Sequence, residues 1–305
     1  MKRIVITGVG GFIARKVAEK LVDLGNIVIG VDDFSSGSSD SLDFLHKVLT
    51  IDLSEQSAVK QLPSECDYIL HLAGQSSGEI SFDDPVKDLE KNTIATLNII
   101  KYGISVQAKR IIYASSMSVY GLVDDRAISE IEHCQPVSCY GVGKLASENY
   151  LRIYQNQIPF TILRMFNVYG PGQDLSNLRQ GMVSIFLAQA LKGDKILVKG
   201  SNQRFRDFIY IDDVVDVWCE ALNISNTINK TYNLGTGVRV TVDELLSQIN
   251  INLPGADVVY DAGTPGDQSG IFPDVTLLKE DFKISKFIPL REGIERFCDW
   301  AKTEE

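Results

Sequence analysis

Ile4-Val5-Ile6-Thr7-Gly8-Val9-Gly10-Gly11-Phe12-Ile13-Ala14 is the stretch on which the fold of this chain turns. Its β-branched opening is unalternated, the pattern of a parallel strand buried on both faces. Gly8, Gly10 and Gly11 then supply a tight turn, and the helix that follows points free N–H groups and a positive dipole end at whatever anion the turn receives. A second apolar run, Ile27 to Val31, ends in Asp32, about 20 residues beyond the glycines, where a carboxylate meets an adenosine ribose and repels a 2′-phosphate. The pair of signals predicts a dinucleotide site that prefers NAD to NADP.

Outward from this unit, strands and helices alternate up to Gly170. Arg15 to Leu24 has helical periodicity closed by Gly25-Asn26, and Ser35 to Ser39 is a polar loop at the adenosine end of the cofactor. Short strands at Lys47 to Ile51, Tyr68 to Leu72, Arg110 to Ala114 and Phe160 to Arg164 interleave with helices at Asn92 to Tyr102 and Tyr140 to Tyr154. Such alternation predicts a Rossmann-type, doubly wound parallel sheet wrapped by helices on both faces. After Gly170-Pro171-Gly172 the pattern changes, with a polar loop, a helix at Met182 to Leu191 and a strand at Ile196 to Val198. It then returns: Phe208 to Ile211 leads into a helix from Asp212 to Leu222, and Thr231 to Leu234 reads as another inner strand. A capping box, Thr241 to Glu244, opens a further helix, and the last helix covers Glu292 to Lys302. The expected organisation is a cofactor domain of 1–169 plus about 205–236, and a smaller, discontinuous α/β substrate domain of about 170–204 plus 237–305.

Composition bounds the alternatives. With 305 residues, 44% hydrophobic and 23% charged, the chain can bury a sizeable core. A net charge of −10 without a long basic block argues against a nucleic-acid binder. No apolar run approaches the span of about 20 residues that a bilayer needs, and glycines interrupt the only run near the start, so a cytoplasmic protein with no membrane partner is expected. The five cysteines are odd in number and form no CxxC pair, which indicates neither a disulfide framework nor a metal site.

The chemistry concentrates at Ser116, Tyr140 and Lys144. Tyrosine at i and lysine at i+4 share one helix face, so the ammonium can favour the phenolate of a side chain whose ordinary pKa, about 10, makes it a poor base at neutral pH. The bland alternative is a surface contact. The position of the pair, opening a helix after the strand that ends in Ser115-Ser116, favours catalysis. His71, at the end of a buried strand, is expected to be a satisfied core histidine, and Trp218 a core residue.

Here the sequence resembles the extended short-chain dehydrogenases/reductases that act on nucleotide sugars, in the manner of UDP-glucose 4-epimerase. The likeness is carried by Thr7-Gly8-x-x-Gly11-Phe12-Ile13-Ala14, Asp32, Asp52-Leu53, His71-Leu72-Ala73-Gly74-Gln75, Asn92, Ser115-Ser116 with Val119-Tyr120-Gly121, and Tyr140-x-x-x-Lys144. It continues through Leu163-Arg164-x-Phe166-Asn167-Val168-Tyr169-Gly170-Pro171, Arg206-Asp207-Phe208 and Tyr232-Asn233-Leu234-Gly235. The resemblance implies that Gly8, Gly11, Phe12, Ile13, Asp32, Asp52, Leu53, Leu72, Ala73, Gly74, Asn92 and Phe166 line the cofactor. It makes Tyr140 the general base, with Ser116 on the same oxygen and Lys144 on the nicotinamide ribose, and gives Ser118, Asn167 and Arg206 to the substrate. For Arg206 the alternative is an ion pair with Asp207 or Asp213, and for Asn167 a turn role. A homodimer is likewise implied.

Several positions depart from the pattern. Ala14 stands for a third glycine, Ala95 for a glycine in the Asn92 helix, and Thr264 for a common arginine. Met117-Ser118 replaces the Asp-Glu pair of sugar 4,6-dehydratases. The reading is therefore an NAD-dependent nucleotide-sugar epimerase acting at carbon 4 through a transient ketone. An NAD(P)H-dependent 4-keto reductase and a catalytically silent NAD(H)-binding regulator stand as alternatives.

Overall fold

The computed structural model describes residues 1–262 and 270–304. Seven parallel strands form the central sheet: β1 (Arg3–Thr7), β2 (Ile27–Asp32), β3 (Lys47–Thr50), β4 (Tyr68–His71), β5 (Arg110–Ser116), β6 (Phe160–Met165) and β7 (Lys230–Leu234). Their spatial order is β7-β6-β5-β4-β1-β2-β3. The order reverses between β1 and β4, which opens a crevice at their carboxyl ends where such sheets take ligands.

Alternation within the strands divides the core. Ile4 and Ile6 of β1 point with Leu70, Ile112 and Leu163 to one face, where they meet Val17 and Leu21 of α1 (Phe12–Asp23) and the fully buried Trp218. Val5, Ile69, Ile111 and Ile162 point to the other, against Ile99 and Tyr102 on one helix and Leu151 on another. Those helices are α3 (Ala95–Ser105) and α4 (Cys139–Ile153), and a short α2 (Pro85–Leu89) precedes α3. Burial of one large aliphatic side chain contributes about 1.5–3 kcal/mol, so both faces are strongly specified.

Two expectations need correcting. Phe208–Tyr210 does not enter the central sheet; it pairs in parallel with Asn167–Tyr169 as a separate ribbon. Lys230–Leu234 does enter the sheet, but as an edge strand beside β6 rather than an inner one. The first core region also reaches beyond the sheet to Leu187, Leu245 and Phe297, so the later segments pack directly on the sheet and its helices. The capping box forms as expected, with the Thr241 hydroxyl accepting from the Glu244 amide and the Glu244 carboxylate accepting from the Thr241 amide. The five cysteines are free thiols. Among the described residues no cluster suits a metal ion, and no helix is long and apolar enough to cross a membrane.

Candidate active site

A cavity of about 520 Å³ runs along the carboxyl ends of β1, β2, β4 and β5, from Gly8 and Asp32 at one end to Tyr140, Lys144 and Met165 at the other. Gly8 adopts φ +78°, and a Cβ there would lie 2.7 Å from the Ala73 nitrogen, so only glycine lets the turn lie against the end of β4. The Gly11 amide donates to the Gly8 carbonyl at 2.9 Å, and Gly11 caps α1 without a side chain. The first amides of α1 consequently have no intrahelical acceptor. Ala14 is buried against the sheet. Phe12, Ile13, Leu53, Leu72, Ala73 and Gly74 line the same space.

At the β2 end, Asp32 accepts from the Gly10 amide through Oδ2 and from the Phe34 amide through Oδ1, each at 2.8 Å. Burial pushes its carboxyl pKa up, and these amides hold it back. A lysine braces the neighbouring acids: Lys91 Nζ lies 2.6 Å from Asp33 Oδ2 and 2.7 Å from Asp52 Oδ2. Those ion pairs pull both carboxyls below the ordinary range against the burial that raises them. Lys91 sits on a π-helical turn, Glu90–Ile94, inserted between α2 and α3, a distortion often found at functional sites. Ser35 and Ser36 of the polar loop line this end as well.

At the opposite end, α4 begins with Ser138, whose hydroxyl accepts from the Gly141 amide, and it presents Tyr140 and Lys144 on its buried face. Ser116, the last residue of β5, opposes the rise that burial imposes on the Tyr140 phenol, and its Oγ lies 3.2 Å from Ser118 Oγ. Lys144 Nζ donates to the Ala114 carbonyl at 3.0 Å and sits 5.6 Å from the centre of the Tyr140 ring. Burial dominates both groups, pushing the phenol up to about 12 and the ammonium down to about 8.

Asn92 is buried behind Gly74, where a Cβ would come within 2.5 Å of its Oδ1. Phe166 does not line the cavity; its side chain packs with Val119, Tyr120, Ile128 and Ile271, and Met165, one residue earlier, forms the wall instead. Asn167 donates to the Asp207 carbonyl at 2.8 Å and touches Met117, which places it next to the Ser116–Ser118 turn. Arg206 is buried and donates to the Phe205 carbonyl. Asp207 is occupied by the turn at Thr236–Val238, its carboxylate accepting two amides and a hydroxyl. Thr264 lies outside the described residues. His71 is the core histidine expected, fully buried between the Thr7 and Thr96 hydroxyls.

Sequence reading did not single out Asp33, Asp88, Lys91, Met165 or Gln180, all of which line the cavity. Gln180 donates to Ser76 Oγ at 2.7 Å and so ties the segment beyond Gly170 to the loop after β4. A usable signal existed only for the Asp88 region, where Asp84-Pro85 is a helix start.

The NAD dependent epimerase/dehydratase family model matches residues 4–235. A UDP-glucose 4-epimerase of Mycolicibacterium smegmatis is 32% identical, over 81% of this chain and 81% of its own. UDP-glucuronic acid decarboxylase 5 of Arabidopsis thaliana is 32% identical over 96% of this chain and 87% of its own. Among solved structures, the UDP-glucose 4-epimerase of Thermotoga maritima with UDP-glucose has a TM-score of 0.94 at 31% identity, covering 99% of each chain.

Proposed function

The chain belongs to the NAD dependent epimerase/dehydratase family, and from that premise we propose that it is an NAD-dependent nucleotide-diphosphate-sugar epimerase working at sugar carbon 4. The observation that carries this reading is the placing of Tyr140 and Lys144 at one end of a cavity whose other end is the Gly8 cradle and Asp32. The lining fits a dinucleotide: Gly8 lets the turn lie against the end of β4 and so brings the open start of α1 to the cavity, and Asp32 lines it as an acceptor for a ribose hydroxyl. Gly8, Gly11 and the first turn of α1 would hold the pyrophosphate, Asp32 and the Lys91-braced acids the adenosine, and Lys144 the nicotinamide ribose. When bound, NAD would supply the acceptor for the hydride from carbon 4.

Tyr140 then takes the C4 hydroxyl proton as the C4–H bond breaks and returns it when the ketone is reduced from its other face. Ser116 hydrogen-bonds the same oxygen. Because Tyr140 is raised by burial, its work as a base depends on positive charge next to it, which Lys144 provides while protonated. Asn167 and Arg206 are assigned to the substrate diphosphate, a role suited to a guanidinium. Residues 1–169 with about 205–236 would carry the cofactor, and about 170–204 with 237–305 the sugar nucleotide.

Two copies are inferred to pair through α2, α3 and α4, which pack side by side. Val86 and Leu89 on α2, Ile94 on the turn that follows it, and Val142 and Ile153 on α4 are exposed apolar side chains, the kind of surface that a second copy would cover. Light scattering that reports a single chain at micromolar concentration would reject this pairing.

Purified protein incubated with UDP-glucose, UDP-galactose and UDP-glucuronate tests the activity. Appearance of the C4 epimer without net NADH change supports it. Stoichiometric NADH loss on a 4-keto nucleotide sugar would identify a reductase instead, and carbon dioxide release from UDP-glucuronate a decarboxylase.

A further inference from the structure

We propose that Asp88 is a positioning residue for the Tyr140–Lys144 pair: its buried carboxylate faces α4, holds the Lys144 ammonium in its charged form and fixes Asn92 behind it. The proposal rests on the epimerase reading for its biological meaning, and on the geometry around Asp88 for its evidence.

Asp88 is only 2% exposed. It lies on the inner side of α2, a helix fixed at its start by the Asp84 cap and Pro85. Its Oδ1 accepts from Asn92 Nδ2 and from Gln75 Nε2, each at 3.1 Å. Its Oδ2 is buried and has no hydrogen-bond partner, and neither has Oδ1 of Asn92. Two glycines clear the space that these oxygens face. A Cβ at Gly143, on α4, would lie 3.5 Å from Asp88 Oδ2, and a Cβ at Gly74 would lie 2.5 Å from Asn92 Oδ1 and 3.4 Å from Lys144 Nζ.

A carboxylate and an ammonium buried in one pocket are each costly alone, and each offsets the cost of the other. The other groups around Lys144 do not supply that negative charge. His71 is held neutral, its pKa pushed down to about 3 by burial and by Lys144 itself. Tyr113 and Tyr140 present phenol rings. Glu148, one turn along α4, is engaged by Arg164, Arg152 and Ser115. Asp88 itself lies within the electrostatic reach of Lys144 and Tyr140 on α4, without a hydrogen bond from either, and accepts from the neutral amides of Gln75 and Asn92. Burial raises its carboxyl to about 6, and Lys144 opposes that rise, so it is anionic at neutral pH. The same charge opposes ionisation of Tyr140 and favours the charged form of Lys144.

The test is the ionisation of Tyr140, followed by phenolate absorbance as the difference between each protein and its Tyr140→Phe counterpart. Asp88→Asn is expected to move this titration down by about one pH unit, a tenfold change in the phenolate ratio, and to bring forward the alkaline loss of activity as Lys144 deprotonates earlier. Asp88→Glu should restore the parent titration. Asp88→Ser provides the same readout if the asparagine variant does not fold. An unmoved titration in a neutral variant that still binds NAD would overturn the proposal. The titration needs no substrate, so a chain that titrates as expected yet converts no nucleotide sugar contradicts the epimerase reading alone. One that epimerises with an unmoved titration contradicts the role of Asp88 alone.

Discussion

Arg164 and Glu148 meet as a buried fork, Nε to Oε1 at 2.9 Å and Nη2 to Oε2 at 2.7 Å, with the two side chains 3% and 0% exposed. The pair ties β6 to α4, the helix that carries Tyr140 and Lys144, and Arg164 also donates to the Tyr120 hydroxyl. Glu148→Gln leaves a buried guanidinium without its counter-charge. It is expected to cost about 3–5 kcal/mol in urea unfolding, whereas an apolar replacement of both residues should cost less. A loss within experimental error for the single variant would contradict this account.

His71 makes stability depend on acid. The native imidazole stays neutral down to about pH 3, against an ordinary value of 6.5. As the pH falls below 6.5 the unfolded chain takes up a proton that the native one refuses, so this contribution is complete above that pH and is lost towards 3. The expected slope is about 1.4 kcal/mol per pH unit. Denaturation curves of the parent and of His71→Asn should diverge in slope over that window and run parallel above it.

Lys91 holds Asp33 and Asp52 together at the Asp32 end of the cavity. Lys91→Met would leave Asp33 and Asp52 facing each other without a cation, disturbing the wall around Asp32. NAD affinity measured by calorimetry is expected to fall about tenfold, or 1.4 kcal/mol, and the gap should narrow as added salt screens the repulsion. An unchanged affinity would remove Lys91 from the cofactor site.

Tyr140→Phe removes the hydroxyl proposed as proton acceptor and leaves the ring beside Lys144. Turnover should drop by about 10²–10⁴, while NAD released on denaturation stays at the parent level. Retained turnover would place the base elsewhere.

Much of the molecule was legible where a local pattern and its structural cause coincide. The unalternated runs at Ile4 to Ile6 and Ile111 to Ile112 are strands because both sheet faces are covered. Gly8 could be read because only glycine fits so close to Ala73. The Tyr140–Lys144 spacing could be read because helical periodicity alone puts both on one face. What was missed depends on partners distant in sequence. Phe208–Tyr210 has the same apolar pattern whether it extends the central sheet or pairs with Asn167–Tyr169, and only the path of the chain after Gly170 decides. Phe166 and Met165 exchange roles because the direction of a side chain at a strand exit is set by the turn that follows. Lys91 has no motif at all: its role is defined by Asp33 and Asp52, and by a π-helical turn that no spacing rule announces. Asp88 is similar, since it gains meaning only when α2 lies against Gly143 and Lys144.

The central claim, that hydride leaves carbon 4 and returns to it within one closed site, is tested most directly with UDP-glucose carrying deuterium at C4. Incubated in ordinary water, the C4-epimeric product is predicted to retain the deuterium, with no accumulation of free NADH. Washout of the label, or consumption of NADH in step with product, would contradict it.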